Sequence, residues 1–127
     1  MYEIRKNDSH LMVEFLDSFD YSMIQSIIRH ETMMKEYPYT NDIWLIGKHH
    51  ANIRLGELET MVREFQCLCP TDATRTKTAV VVDEGLTGAI FELWVKGIHK
   101  RMAFDVKIFH SLDEAKDWLE IDVAEVA

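Results

Sequence analysis

Two short apolar runs, Ile43-Trp44-Leu45-Ile46-Gly47 and Ala79-Val80-Val81-Val82, constrain this chain more than anything else in it. Unbroken runs of this length, without polar alternation, read as strands covered on both faces, the usual state of a central strand in a parallel sheet. Each run is followed by a stretch of helical periodicity. After the first, Leu55, Leu58, Met61, Val62 and Phe65 form one stripe, closed by Pro70. After the second, Leu86, Ile90, Phe91, Trp94, Ile98 and Met102 are expected to face inward. Strands alternating with helices of this length require crossover connections and a largely parallel sheet.

The flanks extend the pattern. Tyr2–Lys6 and His10–Phe15 are strand candidates joined by Asn7, Asp8 and Ser9, residues suited to a hairpin turn. Asp17, Ser18 and Asp20 offer helix N-caps. Behind them Met23, Ile24, Ile27 and Ile28 recur at helical spacing, which predicts a helix over 20–36, stopped by Pro38, with Glu31 and Lys35 on its wet side. Residues 71–78 read as turn. Asp105–Phe109 is the last main strand, and Ser111 with Glu114 has capping-box spacing for a short final helix through Trp118 and Leu119. The tail from Ile121 is open between an edge strand and a frayed end. The expectation is therefore one α/β domain over residues 1–127. It would hold a single, mostly parallel sheet with an N-terminal antiparallel hairpin, in the order β-β-α-β-α-β-α-β-α.

Composition narrows the function classes. A formal net charge of −8 repels phosphate backbones and acidic bilayers alike, so neither nucleic acid nor stable membrane insertion is expected. No apolar segment follows the charged first ten residues as a secretory signal would, and no apolar run reaches the ~20 residues of a membrane span. Cys67 and Cys69, two apart at a helix end, point to different sides and read as core or half-buried thiols, so a reducing cytoplasmic setting is expected. Trp44, Trp94 and Trp118 read as core.

Candidate chemistry gathers where strands end and helices begin. Lys48, His49 and His50 follow the first central strand, and Asn52 and Arg54 precede the next helix. Imidazoles and an ammonium beside helix-start N–H groups could hold an anion; the alternative is a polar surface loop. No His-x-x-x-His or Glu-x-x-His spacing involves these histidines, so neither metal nor cofactor is expected. Gly85-Leu86-Thr87-Gly88 opens the third helix but matches no phosphate-binding fingerprint, and Asp83 and Glu84 beside it would oppose a phosphate. That acidic mouth suits a cationic ligand or a basic partner surface. Lys96, Lys100 and Arg101 complement a helix C-terminus. No Gly-x-Ser-x-Gly elbow or paired acid–base set is present, and a catalytic function is not expected.

The segment Ile108-Phe109-His110-Ser111-Leu112-Asp113-Glu114-Ala115-Lys116-Asp117-Trp118-Leu119, together with the element order, resembles the SpoIIAA-like family, relatives of the STAS domains of anti-sigma-factor antagonists. The strand Lys77–Val82 is similar to that family's penultimate strand. The resemblance implies a non-enzymatic regulatory or protein-interaction module that binds a regulatory protein. The wider fold group, which includes CRAL-TRIO lipid-exchange domains, implies a carrier of a small apolar or amphipathic ligand as the alternative; seven methionines suit an adaptable cavity. Antagonists of this kind carry an Asp-Ser-x-Gly phosphoswitch after the central strand. Here that place reads Gly47-Lys48-His49-His50-Ala51-Asn52, with no hydroxyl to phosphorylate. A homodimer through the tail apolars Leu119, Ile121, Val123 and Val126 remains open.

Overall fold

The computed structural model describes residues 1–7, 9–35, 40–68, 76–98 and 105–126. Five strands form one sheet: β1 (Tyr2–Lys6), β2 (His10–Phe15), β4 (Asn41–Gly47), β6 (Lys77–Val82) and β7 (Asp105–Phe109). They stand side by side in chain order, β1-β2-β4-β6-β7, with β1 antiparallel to β2 and every other pairing parallel. Among the described residues four helices follow the strands: α1 (Tyr21–Thr32), α2 (Leu55–Leu68), α3 (Leu86–Ile98) and α4 (Leu112–Val126). Two strands of two residues each, β3 (Phe19–Asp20) and β5 (Ala51–Asn52), pair in parallel outside the main sheet. The expected α/β order and mixed sheet are therefore observed, with β3 and β5 added.

Register explains the two cores. Val13, Trp44, Val80 and Ile108 stand opposite one another across four strands, so their side chains share one face. Crossovers of one hand stepping always in the same direction lay their helices on that same face. There Ile24, Ile27 and Ile28 of α1, Met61 and Val62 of α2, and Phe91 and Trp94 of α3 close the larger core. The Trp44 and Trp94 rings stack with centroids 6.2 Å apart. Helix α4 follows the last strand and turns to the other face. Ala115 and Leu119 cover Met12, Ile43, Ala79, Val81 and Phe109 there, and Trp118 packs on Phe109 at 5.5 Å. No helix among the described residues is long and apolar enough to cross a membrane.

Several sequence expectations change. Helix α1 ends at Thr32, four residues before the predicted stop, with Met33 as its cap and the Met34 N–H turned to the Glu31 carbonyl (3.0 Å) in place of a helical partner. Glu31 is not on the wet side; it is 2% exposed and faces the sheet. Leu86 does not face inward, being 69% exposed on the outer side of α3. Cys67 is an exposed thiol, not a core one. Strand β6 begins at Lys77, inside the stretch expected to turn. The tail is neither strand nor frayed end: α4 runs on to Val126. Asp20 and Ser111 do cap their helices, accepting from Met23 N–H (3.0 Å) and Glu114 N–H (3.4 Å). Pro38, Cys69, Pro70, Lys100, Arg101 and Met102 lie outside the described residues.

Candidate functional site

The loop after β4 is built at the carboxyl edge of the sheet. Gly47 turns the chain there with φ +62°, a conformation that suits glycine because it lacks a Cβ. Its carbonyl accepts the Asp83 N–H at 2.9 Å. The Thr87 hydroxyl donates to the His49 carbonyl (3.4 Å) and accepts from Ala51 N–H (3.3 Å), while Phe19 N–H donates to the His50 carbonyl (3.0 Å). The loop backbone is thus tied to α3 on one side and to β3 on the other. Its side chains are not. Lys48, His50, Asn52 and Arg54 are exposed, His49 is half-buried, and neither imidazole has a hydrogen-bond partner among the described residues.

Arg54 is the residue before α2, and its N–H is accepted by the Glu57 carboxylate at 2.8 Å. Glu57 reaches back from the third helical position in the manner of a capping box. A carboxylate already rests at this helix start, so an incoming anion would meet a like charge where it expected free N–H groups. The edge carries both signs: Lys48 and Arg54 on one loop, Asp83 and Glu84 on the next, all exposed.

Two concavities flank that loop. A groove of about 450 Å³ has Phe19, Met1 and Met23 as its apolar part and Ser18, Ser22, Ser26, Asp20 and Asn52 as its polar part. The second is a cleft of about 260 Å³ lined by Glu84, Gly85, Gly88, Ala89, Glu92 and His110. It lies where the chain leaving β6 enters a helix on one face and the chain leaving β7 enters a helix on the other. Ligand crevices of open α/β sheets form at such divergences. His110 Nδ1 lies 2.8 Å from the Val82 carbonyl. A carbonyl only accepts, so Nδ1 carries a proton, and in a neutral imidazole so held Nε2 is the acceptor. Gly88 lets α3 start close to the strand, since a Cβ there would stand 2.9 Å from the Asp83 carbonyl oxygen.

The expected site residues are therefore divided. Asn52 lines the groove, Glu84 lines the cleft, and Lys48, His49, His50 and Arg54 belong to the loop between them; Asp83 lines neither. His110, Glu92 and Thr87 were not anticipated. His110 stands at the carboxyl end of a parallel strand as His49 does, one residue past β7 where His49 is two past β4, and that signal was available. Among the described residues no group of three or more His, Cys, Asp or Glu could hold a metal ion.

A buried pair of carboxyls lies at the opposite, amino end of the sheet. Asp42 and Glu31 are 4% and 2% exposed, and their carboxyls hydrogen-bond each other. Trp44 Nε1–H donates to both, at 3.1 Å each, and the Thr78 hydroxyl donates to Asp42. Burial pushes the Asp42 carboxyl above the usual carboxylate range, and its hydrogen bonds with Glu31, Thr78 and Trp44 pull it part of the way back. Two carboxyls in contact away from water hold a proton between them. This pair is sealed beneath α1 and does not open on either concavity.

No family model matches the sequence, and no curated protein matches it. Among solved structures the chain is similar to the crystal structure of an uncharacterized protein from the DUF3478 family, with a SpoIIAA-like fold, from Shewanella loihica PV-4. The TM-score is 0.54 at 11% identity, over 94% of this chain and 92% of that one. At that identity the likeness concerns architecture alone, and it agrees with the hairpin, the parallel strands in chain order and the alternating helices described above. The chain has a SpoIIAA-like fold.

Proposed function

We propose that this protein is a non-enzymatic interaction module that recognises a regulatory partner through the loop 48–54 at the carboxyl edge of its sheet. One observation carries the reading. The loop backbone is held from both sides by Thr87 and Phe19, while Lys48, His50, Asn52 and Arg54 remain exposed. A surface fixed before binding loses little conformational entropy when a partner arrives. Because Gly47–Asn52 contains no serine or threonine, release by phosphorylation at the family's switch position does not apply here.

The test is affinity capture from the native cell, followed by titration of the purified captured protein against wild type and the triple variant K48A/H50A/R54A. One-to-one binding, weakened at least ~10-fold in the variant, is expected. Equal affinity for both sinks the mapping. The groove of about 450 Å³ favours a second reading, a carrier of a small amphipathic ligand, because its volume lies in the usual range of ligand sites and its lining is mixed. Native mass spectrometry of gently purified protein decides it: a bound small molecule is required, and a ligand-free chain that no lipid extract stabilises excludes it.

A further inference from the structure

Helix α3 turns two leucines outward beside its exposed charged residues, Glu92 and Lys96. Its inner side carries Phe91 and Trp94, both in the core. A surface helix ordinarily turns charged and polar residues outward. On α3, however, Leu86 is 69% exposed and Leu93 is 51% exposed. Seven positions apart, these two leucines lie in one line along the helix. Exposed Ala89 stands between that line and the row Gly85, Gly88 and Glu92, which walls the cleft facing His110. An apolar ridge and a polar cleft therefore adjoin on one surface.

The cleft presents acceptors. Glu84 and Glu92 line it, and neither pairs with a cation among the described residues. His110 offers Nε2, its other nitrogen being committed to Val82. A guanidinium or ammonium group supplies donors only and a positive charge, the complement of such walls. Leucines alone would fit any apolar occupant. The carboxylates choose between occupants, because a second copy of the same face would set glutamates near glutamates, and an anionic bilayer would be repelled.

We infer that the outer face of α3 and the Glu84–Glu92–His110 cleft form one docking surface for a basic amphipathic segment of a partner protein. Its apolar side chains rest on Leu86 and Leu93, and an arginine or lysine enters the cleft. This surface is separate from the loop 48–54.

The probe is a fluorescent, amidated peptide with leucine and arginine at amphipathic helical spacing; its counterpart carries glutamate at every arginine position. Binding to the full chain is read by anisotropy at physiological salt. Saturable binding of the arginine peptide is expected, at least ~10-fold weaker in E84Q/E92Q and, independently, in L86S/L93S. The double variant E3Q/D117N removes two charges elsewhere on the surface and should bind like wild type. Circular dichroism and melting establish that every variant is folded. Any of four results overturns the inference: comparable binding of the glutamate peptide, equal weakening in E3Q/D117N, a dimer in light scattering that L86S/L93S dissolves, or leucine-dependent attachment to phosphatidylcholine vesicles. None of these results bears on K48A/H50A/R54A, so the two surfaces are tested apart.

Discussion

Asp42 keeps its proton in the folded chain at pH values where an unfolded chain gives it up. Its folded pKa is raised above the ordinary 3.8, with burial the largest cause. A raised folded pKa means that the contribution to stability is complete below the unfolded value and is lost as pH climbs toward the folded one. Wild type should therefore lose ground to D42N as pH rises from about 4 toward neutrality, because the amide carries no charge to expel and still offers a donor and an acceptor. Denaturant melts of both proteins across that range measure it, and a difference that does not change with pH would falsify the assignment. D42A should be destabilised by about 1–3 kcal/mol near pH 4, since the Thr78 hydroxyl loses its acceptor and the Trp44 indole loses one of two. Glu31 shows why such a pair escapes a reading of the sequence. By helical periodicity a glutamate belongs on the wet side, and only partners far along the chain, Asp42 and Trp44, make its burial tolerable.

At the scale of elements, glycines at two helix starts should respond to alanine with opposite signs. At Gly88 the new Cβ would meet the Asp83 backbone oxygen, which cannot swing away, and G88A should cost about 1–3 kcal/mol. At Gly56 a Cβ meets nothing within 4 Å, and G56A should stabilise by roughly 0.5 kcal/mol. Chemical denaturation of both variants checks the pair; destabilisation by G56A, or neutrality of G88A, would show that the α2 and α3 starts pack differently. The main strands and helices were legible in the sequence because each is long enough to display a period or an unbroken apolar run. Strands β3 and β5 were not, since two residues have no period. Leu86 was misplaced because apolar character does not by itself distinguish a core position from an exposed ridge. The loop 48–54 could be placed at the carboxyl edge from element order alone. The cleft beside His110 could not, because it exists only where α4 departs to the face opposite α3, and no local pattern encodes that choice.

At the scale of the molecule, three of the described helices serve one face of the sheet and one serves the other. Met12, Ile43, Ala79, Val81 and Phe109 depend on Ala115, Leu119 and their neighbours in α4 for cover. A chain stopped after His110 should keep its other core, yet bind a hydrophobic dye and self-associate; a monomeric 1–110 fragment that melts cooperatively would contradict this division of labour. The strand order carries a further consequence for the birth of the chain. Because neighbours in the sheet are consecutive in the chain, a ribosome releases each strand beside one that has already emerged, and no early strand waits for a distant partner. The second face is the exception. It stays bare until α4 emerges, so a prematurely terminated product displays adhesive surface that the finished chain hides, a mark by which chaperones and proteases can tell the two apart.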